Sequence, residues 1–148
     1  MFLLALSSLV LAVDAANAGV TVVQPLQFGS WISKNNSMQH EITINADGSY
    51  TFDSAGFIEI TPPQIGTFDL DGMTPNTAIA SVVVTQITAL SGGGVNFQMI
   101  NLQGAHPAST NASGVARIYV NGTAQTSGNG TSYLDQTFNG QVQIQINF

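Results

Sequence analysis

As a string of apolar and polar positions, the chain alternates with a period of two over most of its length. Val20, Val22, Leu26 and Phe28 share one parity, against Thr21, Pro25 and Gln27 on the other. Met38, Ile42 and Ile44 alternate with Gln39, Glu41 and Thr43, which puts His40 on the apolar side. Shorter runs follow at Tyr50 and Phe52, Ile58 and Ile60, and Phe68 and Leu70. The last run is the most regular: Val142, Ile144, Ile146 and Phe148 are set against Gln141, Gln143, Gln145 and Asn147. Successive side chains of a strand point to opposite faces, so this pattern predicts many short, half-buried strands. The final run is the expected C-terminal core strand.

Turn residues punctuate the runs. Asp47-Gly48 between two of them predicts a hairpin. Pro62-Pro63, Gly72, Ser91-Gly92-Gly93-Gly94 and the stretch Ser127 to Ser132 mark further loops. Val95, Phe97 and Met99 are odd-numbered, whereas Ile100 and Leu102 are even; one inserted residue does this, so a β-bulge is expected there. Only the segment Thr77 to Leu90 is long enough to suggest a helix. Its Val82-Val83-Val84-Thr85 core, followed by Ile87 and Thr88, is β-branched and predicts a strand buried on both faces. About eight to ten strands without a helix predict an antiparallel β-sandwich, immunoglobulin-like or pilin-like, because two one-sided sheets must cover each other.

The first residues break the pattern. Met1 to Val13 is a continuous apolar run, and Ala16-Asn17-Ala18 has the small-x-small form of a signal-peptidase site. The run is shorter than the ~20 residues that span a bilayer. It lacks the usual preceding Lys or Arg, yet its length and site together predict a signal peptide over residues 1–18 and one domain over 19–148. The expected location is therefore outside the cytoplasm: cell surface, extracellular or periplasmic.

Composition narrows the partners. Only 7% of residues are charged, against about 25% in typical domains, and the polar surface falls to 12 Asn, 12 Gln, 14 Thr and 13 Ser. With Lys34 and Arg117 as the sole Lys or Arg and a formal charge of -6, the chain cannot neutralise a row of phosphates or dock on an anionic membrane. Nucleic acid is excluded as a natural partner, and no membrane insertion is expected after signal cleavage. There is no cysteine, so stability must come from packing and strand pairing.

Candidate chemistry is sparse. The two histidines are His40, expected packed or at an edge, and His106, expected solvated beside Pro107; no Gly-x-Ser-x-Gly elbow accompanies them. Glu41, Asp47, Asp53, Glu59, Asp69 and Asp71 fall on polar parity or in turns, as a solvated sheet face requires. Asp69-Leu70-Asp71-Gly72 lacks the further oxygen ligands of a calcium loop. Ser91 to Gly94 lacks the Lys and the helix of a phosphate cradle. Four Asn-x-Ser/Thr sequons, at Asn35, Asn111, Asn121 and Asn129, arise freely in so Asn-rich a chain. Trp31 is expected to cover one end of the core, with sugar stacking as the functional alternative. No enzyme activity, metal or cofactor is expected.

Several short motifs resemble family 4402 of the bacterial domains of unknown function, a family of secreted proteins similar to fimbrial subunits. They are Leu26-Gln27-Phe28-Gly29, expected to close the first strand; Gly66-Thr67-Phe68 leading to Gly72; Asn121-Gly122-Thr123; and Thr137-Phe138-Asn139-Gly140 before the final alternating run. The resemblance implies a sandwich fold and a structural role, as a fimbrial or pilus-type subunit or an envelope-associated module. The expected partners are other copies of the chain, through strand pairing, or other envelope proteins. Val20, Val22, Leu26 and Phe28 are the candidate strand-exchange segment, with Leu26 to Phe28 held in the chain's own fold and Gly19 to Gln24 free to bridge. The alternative is a soluble carbohydrate- or ligand-binding module.

Overall fold

The computed structural model describes residues 2–5, 8–12 and 19–148, and among these there are strands and no helix. The strands are β1 (Phe2–Ala5), β2 (Ser8–Ala12), β3 (Gly19–Gln24), β4 (Gln27–Ser33), β5 (Glu41–Ile44) and β6 (Tyr50–Phe52). They continue as β7 (Phe57–Thr61), β8 (Gly66–Asp71), β9 (Ser81–Gly92), β10 (Val95–Ala105), β11 (Ala116–Gln125) and β12 (Thr137–Asn147). Hydrogen bonding links them in the order β3-β8-β11-β10-β9-β12-β1-β4-β7, with β5–β6 also attached to β11 and β2 to β12. All pairings are antiparallel except those of β12 with β1 and with β2. The fold is an antiparallel β-sandwich, with the sheet containing β4 and β7 curled.

The curl brings distant parts of the path into one core. Trp31 of β4 meets Phe52 and Phe57, with ring centroids 4.8 and 6.0 Å away. Phe57 stacks on Phe97 of β10, and Phe97 meets Phe138 of β12 edge-on at 5.1 Å. Aromatic pairs in these geometries add about 0.5–1.5 kcal/mol each beyond the area they bury. Phe68, Leu70, Ile118, Val120, Val142, Ile144 and Ile146 supply further apolar surface, placed there by the period-two pattern of β8, β11 and β12.

Turn chemistry acts where it was expected. The Asp47-Gly48 hairpin joins β5 to β6: Asp47 accepts the Ser49 N–H at 2.9 Å and Gly48 has φ 82°. Gly93 and Gly94 both have positive φ and form the two-residue loop between β9 and β10. The bulge falls between Ile100 and Gln103, where the β10–β11 register shifts and Asn101 takes φ 52°.

Several expectations are corrected. Val20, Val22, Leu26 and Phe28 do not form one strand. Pro25 and Leu26 separate β3, which pairs with β8, from β4, which pairs with β7. Leu26-Gln27-Phe28-Gly29 therefore opens β4 instead of closing a first strand. Gly29 lies inside β4 at φ 82°, where a Cβ would sit 2.4 Å from the Thr61 carbonyl oxygen. Val22 is half-exposed on β3, which ends the strand order and has a neighbour on one side only. Met38 lies in the loop before β5 and is exposed. On β7 the inward residue is Phe57, which turns Ile58 and Ile60 largely outward. β9 is a strand, but only one face is covered: Val84 and Leu90 are buried while Val83 and Ile87 are half-exposed. Phe148 is not a core residue. The β12–β9 ladder ends at Asn147 opposite Ser81, leaving Phe148 past the last pairing and 44% exposed.

Candidate functional site

The feature of the fold with most functional content is the seam between β12 and β4. β1 is hydrogen-bonded to both, antiparallel to β4 with Phe2 opposite Trp31, and parallel to β12 with Leu3 opposite Thr137. β2 continues along β12, with Gln141 opposite Ser8 and Gln145 opposite Ala12. Among the described strands, the path from β12 to β4 passes only through β1. The inward residues of β12 along this edge are Phe138, Val142 and Ile144, all fully buried. Leu4, Leu9 and Leu11 take the register positions opposite those three residues. The segment read from the sequence as an apolar leader thus supplies two strands that pair with the C-terminal strand. The expected cleavage site, Ala16-Asn17-Ala18, lies outside the described residues.

The exchange candidates divide across this arrangement. Leu26 and Phe28 are buried in the core beside Trp31. Val20 packs partly against the core from β3, and Val22 and Val23 are half-exposed on that edge strand. At the opposite end of the path, β7 is the other edge. Ile58 and Ile60 project from it, and Ile58 lies opposite the half-exposed Ile32 of β4. The one acid on β7, Glu59, accepts the Tyr50 hydroxyl at 3.0 Å with both carboxylate oxygens, and this bond raises the Tyr50 pKa. Both edges present β-branched side chains and little free charge, the opposite of the guarded edges of most monomers.

A buried polar cluster lies around His40. Its ring is 1% exposed; Nδ1 is 2.6 Å from Asp53 Oδ2 and Nε2 is 2.9 Å from Asn35 Oδ1. The backbone N–H of His40 donates to Thr126 Oγ1 at 2.9 Å, and its carbonyl accepts the Thr126 N–H. Asp53 also caps the turn after β6 by accepting the Ala55 N–H at 2.8 Å. The hydrogen bond from His40, and then that from Ala55, holds the Asp53 carboxyl below the ordinary carboxylate range. Gly56 lies flat against the imidazole, where a Cβ would sit 2.3 Å from Cγ. With both ring nitrogens bonded to acceptors and the ring enclosed, this cluster fastens three chain segments together and presents no hydroxyl nucleophile to the histidine. Sequence parity placed His40 inside; its partners, 5 and 13 residues away, needed the fold.

Arg117 forks onto Asp69 across β11 and β8, with Nε–Oδ1 2.7 Å and Nη2–Oδ2 2.8 Å, which lowers the Asp69 pKa and raises that of Arg117. His106 is in a loop, with Nδ1 2.9 Å from the Pro107 carbonyl. Trp31 is fully buried and its indole N–H donates to the Phe28 carbonyl, so it is unavailable for stacking on a sugar. Comparison with known proteins finds no match to this chain among family models, curated proteins or solved structures.

Proposed function

We propose that this chain is an exported structural subunit of the cell surface that associates with its own copies by strand pairing. The observation that carries this reading is the seam. If residues 1–18 are removed as a signal peptide, β1 and β2 go with them, and a slot one strand wide opens between β4 and β12. Two inter-strand spacings make it about 9.5 Å across. Its floor is apolar, its walls are unpaired backbone N–H and C=O groups, and such an edge pairs readily with an added strand. The half-exposed edges β3 and β7 support the same reading. The occupant is the segment Gly19–Gln24 of a second copy, which would stand at the new amino terminus and exchange its edge pairing with β8 for the slot.

Electron microscopy and analytical ultracentrifugation of exported protein test this reading. Intact mass beginning at Gly19, with ordered filaments or oligomers that are lost on deleting residues 19–24, is the expected result. A synthetic peptide of residues 2–12 added to the mature chain should refill the slot and suppress assembly. At a hundredfold excess over its dissociation constant it also stabilises the monomer by about 2.7 kcal/mol. Exported protein that retains residues 1–18, or mature protein that stays monomeric at high concentration, rejects the reading.

A further inference from the structure

A second surface, on the outer face of β10 and β11, has the makings of a ligand site. Asn121 lies where β11 changes partners, between Val120 opposite Gly66 of β8 and Gly122 opposite Ile44 of β5. Its Nδ2 donates to the Ile44 carbonyl at 3.3 Å, which sets the orientation of the amide. The other atom of that amide, Oδ1, is sealed from solvent and has no hydrogen-bond partner among the described residues, in a residue only 6% exposed. An amide oxygen left without a donor costs about 1–3 kcal/mol. Asn121 lines a depression of about 290 Å³ together with Glu41, Thr43, Asn45, Asn101 and Gln103. The β10 bulge shapes it: the shifted register places Gln103 opposite Asn121, and Asn101 bends away at φ 52°.

Two residues along the same face of β11, roughly 6.7 Å away, Tyr119 is 40% exposed. It faces Ala105 across the strand pair and lines a second hollow, of about 390 Å³, with His106, Pro107 and Arg117. An aromatic platform thus stands two residues along the strand from a floor of amides and hydroxyls, whose one carboxylate, Glu41, already accepts a hydrogen bond from the Gln125 amide. The Arg117 guanidinium is engaged by Asp69 and the net charge is -6, so an anion is disfavoured. A neutral ligand rich in hydroxyls, with one flat C–H face, matches both hollows.

We infer that this face binds a neutral oligosaccharide, with one ring stacked on Tyr119 and the next held by the exposed amides of Asn101 and Gln103 beside the buried Asn121. The inference is independent of assembly through the β12 seam, which lies elsewhere on the path. Full-length protein labelled for NMR and titrated separately with cellotetraose, chitotetraose and mannotetraose tests it. At least one sugar should give saturable shifts at the amides of Tyr119, Asn121, Gly122 and Asn101, with a dissociation constant of about 1 mM or tighter. Tyr119→Ala should weaken binding at least about threefold, the loss expected for a stacked aromatic. Gln103→Ala, at an exposed position of the other hollow, should do likewise. No saturable shift with any of the three sugars, or equal binding by Tyr119→Ala, overturns the inference.

Discussion

At the scale of single residues, the charges matter because they are so few. Asp53 has its pKa lowered chiefly by the His40 hydrogen bond, so its ionised form is favoured in the folded state. A carboxyl depressed on folding stabilises above its unfolded value, here 3.8, and that contribution fades as pH falls through the lower folded value. Thermal melts should therefore lose stability from about pH 4 downward, and Asp53→Asn should flatten that dependence while lowering the melting temperature near neutrality. Equal acid sensitivity in wild type and variant would show that Asp53 does not contribute. His40 was legible as an inward residue from its parity with Ile42 and Ile44. The acceptors on its two nitrogens were not, since loop residues carry no periodic signal.

At the scale of elements, β12 shows how far alternation can be trusted. Val142, Ile144 and Ile146 are all buried, between β9 on one side and the β1–β2 segment on the other. Each contributes about 1.5–3 kcal/mol of burial, so three together rival the ~5–15 kcal/mol stability of a domain. Ile144→Asp adds an unpaired carboxylate to the core and should leave no cooperatively folded protein. Phe148→Ala, one residue past the ladder, should change stability by no more than about 0.5 kcal/mol. Circular dichroism melts of both variants check this, and a cooperative Ile144→Asp melt near wild type would contradict it. β3, β7 and β9 show the limit of the same pattern. Their apolar residues alternate, but an edge strand or an uncovered face leaves Val22, Ile58, Ile60, Val83 and Ile87 largely in water.

At the scale of the whole molecule, the unguarded edges are what distinguish this sandwich. Ile32, Ile58 and Ile60 form an outward apolar patch on the β4–β7 sheet, and such patches favour association. Ile58→Lys with Ile60→Lys places charges on the β7 edge, the device by which natural sheets block pairing. The double variant should remain more monodisperse than wild type by light scattering at equal concentration, with its melting temperature within a few degrees. Unchanged association would move the contact away from β7.

Local pattern alone specified the strand class, the Asp47-Gly48 turn, a loop within Ser91 to Gly94, the bulge after Met99 and the inward Val142, Ile144 and Ile146 of β12, but not Phe148. Each of these is local: side-chain periodicity and backbone freedom act over two to four residues, and no distant partner is needed to read them. Long-range packing settled which faces were covered, how Pro25 split one apolar run between two strands, and that Phe2–Ala5 and Ser8–Ala12 are strands paired along β12. It also decided where β11 changes partners and leaves Asn121 with an unmet oxygen. These depend on pairings between residues tens of positions apart, and hydrogen-bond register across such distances is set by packing of the whole core, which no single run of residues contains.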